Sequence, residues 1–195
     1  MHPSPTFRAD GDLLAEAAAI GFAHIFAATP AGPMVVHAPV TRHGDRLRFH
    51  VARANRIADH LDGAALVVSV QGPQAYISPG WYADPRDQVP TWNYVTVEIE
   101  GVAHALDEPA LLEQLDALAA AHEPRAHPPA PWTRDKTDPA KIAAMLRAIR
   151  GFELTVTAVR GTTKLSQNKD AATRAGVIAG LLAAGETDLA ARMRG

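Results

Sequence analysis

The sequence predicts an α+β fold, an antiparallel β-barrel decorated by helices, and three observations carry that expectation. Six or seven β-rich runs are separated by turn chemistry or by short helical stretches. The helices gather in the second half and do not alternate one for one with strands, which disfavours a parallel doubly wound sheet. Runs as apolar as Ala65 to Val70 would leave sticky edges in an open sheet, and a barrel closes them.

In chain order, Gly11 to Ile20 reads as a short helix with Asp12 near its start. Phe22 to Ala28 and Met34 to Val40 are β-rich runs joined by Thr29-Pro-Ala-Gly-Pro33, and Leu47 to Ala52 follows the turn His43-Gly-Asp45. Asn55 is placed to cap a short helix through Leu61. Ala65 to Val70 and Ala75 to Ser78 give two further strands. Trp92 to Leu106 alternates cleanly, with Val95, Val97 and Ile99 opposite Thr96, Glu98 and Glu100, the period of a half-buried strand. Asp107-Glu-Pro109 opens a helix ending near His122, with Leu111, Leu112, Leu115 and Leu118 as its stripe. Glu123 to Thr137, with four prolines and Trp132, reads as loop. Asp138-Pro139 starts a helix whose Ile142, Met145, Leu146 and Ile149 share one buried face, stopped by Gly151. Phe152 to Thr157 alternates as a last strand, and the tail from Asp170 holds two helices broken at Gly185.

With 195 residues and 47% hydrophobic content the chain can bury one good core, so a single domain over residues 1–195 is expected, with a helical extension from about 166 to 195. No run of about 18 apolar residues occurs, and Met1-His-Pro-Ser-Pro lacks the basic and apolar regions of a signal peptide. The expected location is the cytoplasm. The absence of cysteine removes disulfides, thiolate catalysis and cysteine-ligated zinc together. A formal net charge of −2 argues against wholesale nucleic-acid binding. A local basic cluster, Arg42, His43, Arg46, Arg48, His50, Arg53 and Arg56, reads either as a solvated strand face or as a phosphate site for a small ligand.

The chemistry concentrates in Gln71 to Tyr94, which holds two of the three tryptophans and all three tyrosines amid hydroxyls, amides and prolines. Tyr and Trp bring polar handles that a purely apolar core avoids, so the stretch reads as a pocket wall. Nine histidines show no metal-ligand spacing, and no metal is expected. Ser78 and Ser166 lie in no nucleophile elbow. Phe49 to Arg56 leaves a strand and enters the helix expected at Asn55, so Arg53, Asn55 and first-turn amides could converge on an anion. Lys164-Leu-Ser-Gln-Asn-Lys169 is a second polar cluster before a helix. An aromatic wall with anion-binding groups suits a flat ring carrying an anionic tail, the shape of flavin mononucleotide.

Four strings, Gly72-Pro-Gln-Ala-Tyr-Ile-Ser-Pro-Gly-Trp-Tyr82, Val89-Pro-Thr-Trp-Asn-Tyr94, His50-Val-Ala-Arg-Ala-Asn55 and Lys164-Leu-Ser-Gln-Asn-Lys169, resemble those of the PaiB family, described as FMN-binding negative transcriptional regulators. The resemblance runs in order from about Phe22 to Met193. It implies a split β-barrel like that of flavin reductases and pyridoxamine phosphate oxidases, working as a homodimer with FMN near the subunit interface. By the same resemblance Arg53 and Asn55 serve the phosphate, with His50 nearby. Tyr76, Ser78, Trp81, Tyr82, Thr91, Trp92 and Asn93 line the ring or the cavity beside it. Lys164, Ser166, Gln167 and Asn168 close the site, from either subunit. The N-terminal segment and the short loop Asp84 to Gln88 depart from the family pattern without touching these motifs.

Direct repression would need a DNA-reading surface, and the helices expected at Asp138 to Ile149 and Asp170 to Leu182 are separated by a whole strand, which excludes a helix-turn-helix between them. Two functions stay open: an FMN-binding regulator that acts indirectly, and an FMN-dependent oxidoreductase in which the flavin takes hydride. A barrel whose cavity is empty or holds a different ligand such as heme is the third.

Overall fold

The computed structural model describes residues 1–194. Six strands, β1 (Phe22–Thr29), β2 (Gly32–His43), β3 (Arg46–Ala52), β4 (Ala65–Ile77), β5 (Thr91–Ala105) and β6 (Ile149–Lys164), form a closed barrel in the order β1, β2, β3, β6, β5, β4. The pairs β1–β2, β1–β4, β2–β3 and β3–β6 are antiparallel, as short turns between sequential strands require. The helices are α1 (Leu13–Ile20), α2 (Glu108–Ala126), α3 (Pro139–Leu146), α4 (Ala171–Ala183) and α5 (Thr187–Arg194).

The expected elements appear with four differences. The two runs at Ala65 and Ala75 are one 13-residue strand, β4. The helix expected at Asn55 is only a single 3-10 turn, Ala58–His60. Helix α2 runs on to Ala126 past Pro124, and the His127 N–H closes it by donating to Glu123 O. The helix expected to run to Ile149 stops at Leu146, because β6 claims Ile149 by pairing it with Ala52 of β3. Its apolar face is consequently not buried as a whole: Leu146 is 7% exposed, whereas Met145 is 58% exposed.

Two compact units partition the chain. The larger comprises Leu14–Val70 and Glu98–Val159. Its core is built by period-two alternation: Ile25, Leu47, Phe49, Val68, Ile99, Phe152 and Leu154 are fully buried, each contributing about 1.5–3 kcal/mol of transfer free energy. Phe49 and Phe152 stack at 5.5 Å across β3 and β6. On the other face of the same pair, Glu153 accepts from Arg48 Nε at 2.8 Å and Arg46 Nη1 at 2.6 Å, and Arg48 Nη1 reaches Glu113 of α2 at 3.0 Å. Burial alone would raise the Glu153 pKa, but the hydrogen bonds from Arg48 and Arg46 outweigh it and hold the carboxyl below its ordinary value.

On the outward face of β1 lies a row in which Phe26 pairs with Val35 on one side and Val67 on the other, followed by His24 with His37 and Ser69. Phe22, Phe26, Val35 and Val67 are all exposed, and neither β1 nor β4 contains an Asp, Glu, Lys or Arg.

The smaller unit comprises Met1–Leu13, Gln71–Val97 and the chain from Arg160 onward. Ala75, Ile77, Tyr82, Val95, Leu165, Val177, Leu181, Leu189, Ala190 and Met193 form its apolar cluster. Asp170 caps α4, accepting from Thr173 N at 2.8 Å. Gly176 and Gly180 of α4 lie against Trp81, where a Cβ would overlap the Trp81 carbonyl oxygen and indole ring.

Candidate functional site

In the larger unit, β3 ends in the segment that carries His50, Arg53 and Asn55. His50 pairs in register with Gly151 of β6 and points its ring at α2, where Gln114 Oε1 lies 2.9 Å from Nδ1. With the carboxamide oxygen in that position, His50 donates from Nδ1 and keeps the lone pair on Nε2. Burial pushes the His50 pKa below its ordinary value, with the Gln114 bond opposing it, so the ring is neutral at pH 7. Gln114 is 1% exposed, and its Nε2 has no hydrogen-bond partner among the described residues.

Arg53 is anchored by its backbone as well as its side chain. Its N–H donates to Ala148 O at 2.8 Å, Nε to Arg147 O at 2.9 Å and Nη2 to Ile149 O at 3.2 Å. Two of the five guanidinium N–H groups are thus used to fix the plane, and the others face a small cleft of about 190 Å³ lined also by Arg147, Arg150 and Glu108. Arg150 is paired with Asp59 at 2.8 Å, which leaves Arg53 and Arg147 against Glu108 among the lining residues, a balance that still suits an anion. Asn55 contributes differently from the expectation: its Oδ1 accepts from Ile57 N at 3.2 Å, and its carbonyl accepts from Ala58 N at 2.9 Å. The amides of Ile57 and Ala58 are therefore engaged locally, and the short 3-10 turn supplies no first-turn amide cradle.

In the smaller unit the aromatic stretch divides into exposed and packed members. Tyr76 and Trp92, 49% and 52% exposed, meet edge to face at 6.3 Å and present a broad aromatic surface. Ser78 Oγ accepts from Gly80 N at 3.1 Å and so caps the turn Pro79–Trp81. Trp81 packs on the glycine face of α4. Tyr82 is buried, which raises its pKa, with Lys169 Nζ 4.9 Å from its ring centroid. Lys169 also donates to Gln88 Oε1 at 2.9 Å, and these residues line a cleft of about 270 Å³ with Asp84, Asp170 and Thr173.

The polar motif after β6 is spent largely on structure. Asn93 is fully buried and donates from Nδ2 to Ser166 Oγ at 2.9 Å, while Ser166, at φ 57°, sits in the left-handed region. Gln167 bridges Leu165 N, Thr163 O and Thr6 O and so stitches the turn to the N-terminal segment. Lys164 Nζ donates to Thr91 Oγ1 at 2.6 Å and lies 5.7 Å from the Phe7 ring centroid. Burial lowers its pKa. Asn168 is exposed.

The structure thus joins Thr91 to Lys164 and Asn93 to Ser166 in one unit, and in the other turns His50 to Gln114 and Arg53 to the cleft lined by Arg147 and Arg150. Sequence reasoning missed Gln114, Arg147, Arg150 and Lys169. A glutamine three residues after Leu111 on the buried stripe of α2 was the available signal for the first. Taken unit by unit, the guanidinium N–H groups of the larger suit an anion such as a phosphate, and the uncovered aromatic faces of the smaller suit a flat ring.

Comparison with known proteins agrees. A sequence model of the family described as "Putative FMN-binding domain" matches residues 1–158. The protein "Protease synthase and sporulation protein PAI 2" of Bacillus subtilis is 38% identical over 105 residues, which is 54% of this chain and 49% of that protein, so the match spans about half of the relative's length. A protein of Emericella nidulans, AN0679, is 25% identical over 181 residues, 76% of this chain and 72% of that one. Among solved structures, the FAD and heme binding protein of Mycobacterium smegmatis superposes with a TM-score of 0.61 at 18% identity, covering 89% of this chain and 80% of that one. The flavocytochrome Anf3 of Azotobacter vinelandii gives 0.61 at 15% identity, covering 84% and 72%. At such identities these two show the fold alone, the split barrel of flavin-binding proteins. A family match covering every barrel strand except the end of β6, together with the Bacillus relative, leads to one conclusion: the chain belongs to the FMN-binding, PaiB-like family, with a flavin as its cofactor.

Proposed function

We propose that this chain works as a cytoplasmic homodimer whose bound FMN couples redox state to gene expression by an indirect route, the whole of residues 1–195 acting as one domain. The family match over residues 1–158 carries the flavin part. The regulatory part follows the name of the Bacillus relative, which ties that protein to protease synthesis and sporulation. The homodimer is supported by the uncharged outward row Val35, Phe26 and Val67, since an antiparallel sheet face left to water normally carries charged side chains. Indirect action is supported by α3 and α4, which are separated by the 16-residue strand β6 and so do not form a helix-turn-helix pair. When bound, FMN supplies two-electron redox chemistry. The chain's own residues bind and orient it: Arg53 offers a pre-fixed guanidinium for the phosphate, and His50 stays neutral beside it on β3.

The decisive measurement is an absorbance spectrum of the purified protein, followed by NAD(P)H titration and a promoter-fragment binding assay. Flavin bands, slow or absent bleaching and no salt-dependent DNA binding are the expected results. Rapid catalytic bleaching would replace this reading with an oxidoreductase. A Soret band would replace the flavin with heme, and specific DNA binding would make the regulation direct.

A further inference from the structure

A cleft of about 760 Å³ lies within the larger unit, between α2, the segment 131–137 and α3. That volume falls within the roughly 300–1,000 Å³ range of small-molecule sites. Its floor is apolar, made by Leu112, Ala119 and Ala120 of α2 and Ile142 and Leu146 of α3. One wall is Trp132, the tryptophan left over from the aromatic stretch. Trp132 is held at both ends: its backbone N–H donates to Glu123 Oε2 at 2.8 Å, and indole Nε1 donates to Thr137 Oγ1 at 3.3 Å. The ring is therefore fixed at the cleft, while 39% of the residue stays exposed.

The charges around that floor are one-sided. Glu108, Asp116, Glu123 and Asp135 line the cleft against a single cation, Arg134. Arg134 is committed to Asp116 by two hydrogen bonds of 3.0 and 2.9 Å. Glu123 and Asp135 are left without a cationic partner among the lining residues, whereas Glu108 also lines the cleft of Arg53, Arg147 and Arg150, and Lys136, next to Asp135, donates to Pro131 O at 2.6 Å. A hydrogen bond from Thr133 holds the Asp135 carboxyl below its ordinary value, so it is charged at neutral pH.

We propose that this cleft binds a small amphipathic organic cation, its apolar body on the floor and its charge between Trp132 and the carboxylate rim. An apolar ligand alone would leave the rim unused, and an anion such as a flavin phosphate would be repelled by it. The aromatic wall is well suited to an alkylated ammonium, whose diffuse charge is attracted to the face of an indole. The site adjoins the Arg53 cleft, sharing Glu108 and Leu146 with it, but Trp132 and Asp135 line this cleft alone, so its failure would leave the flavin assignment intact.

The test is calorimetric titration of the flavin-loaded protein with benzyltrimethylammonium, phenethyl alcohol and benzenesulfonate in parallel, with bound flavin monitored by absorbance. Saturable binding of the cation is expected, about tenfold or more tighter than the alcohol, with none for the sulfonate. Trp132→Ala should weaken the cation about tenfold and Asp135→Asn severalfold, while flavin content stays unchanged. Both residues lie at the rim, so either variant reports if the other misfolds. No saturable cation binding up to about 10 mM, equal affinity for the alcohol, or indifference to both variants overturns the proposal.

Discussion

Arg53 shows how a charged residue is prepared for a ligand. Its guanidinium plane is set by two carbonyls at the end of α3 and the start of β6, so binding an anion costs little further side-chain ordering. Arg53→Ala should weaken FMN binding by about 1.5–3 kcal/mol, roughly ten- to 150-fold, read by fluorescence titration; unchanged affinity would remove Arg53 from the phosphate site. Arg53→Lys keeps the charge but loses the two-point anchor, and should fall between. His50 makes a prediction about pH. Its folded-state pKa is lowered, so as pH falls through the ordinary value near 6.5 the unfolded chain takes up the proton first, and stability declines. Thermal melts from pH 7.5 to 5 should show that decline, flattened in His50→Gln; identical slopes would contradict the buried neutral ring. At this scale the sequence revealed which residues matter more readily than what they do. The alternation of β3 put His50 on a definite face, but Asn93 and Ser166 are 73 positions apart, and nothing local announces that their side chains satisfy each other inside the core.

Elements were legible where one period dominated and misread where two neighbours competed for the same residues. The strand Thr91–Ala105 was clear because its alternation persists over 15 residues. Ile149 fits the helical spacing of Ile142, Met145 and Leu146 equally well, yet pairing with Ala52 places it in β6, because the barrel gains a ladder rung there. The helix expected after Asn55 starts with its cap but ends after one 3-10 turn, because Gly63 takes a left-handed φ of 75° and gives its N–H to Ala103 O of β5 instead of to a helical carbonyl. The junction of β3, β6 and α2 depends on Glu153, and Glu153→Gln should destabilise the fold by about 1.5–3 kcal/mol by leaving Arg48 underpaired. Because the folded pKa of Glu153 is depressed, its contribution is complete above the ordinary glutamate value and is lost as pH falls through the lowered one. Acid unfolding of the variant should be correspondingly less steep, and a wild-type profile would show that the network carries no stability.

For the molecule as a whole, the barrel was readable because covering strand edges and keeping helices out of strict alternation leave few architectures. Its outward apolar row was not, since a β-run does not declare which face meets solvent. On the proposed homodimer, Val35→Glu should lower the mass seen in light scattering from dimer to monomer without unfolding the protein; a wild-type monomer or an unchanged mass would contradict an interface on this row. Among the described residues no helix is long and apolar enough to cross a membrane. The contact of Trp81 with Gly176 and Gly180 has a consequence for the order in which the chain is assembled. Two glycines make α4 a poor helix by itself, each costing about 1 kcal/mol relative to alanine, so this helix waits for a partner made about 90 residues before it. The indole acts as a template on which α4 is moulded, and slow amide exchange in α4 is therefore a clock for the maturity of the Gln71–Val97 segment rather than for the helix itself.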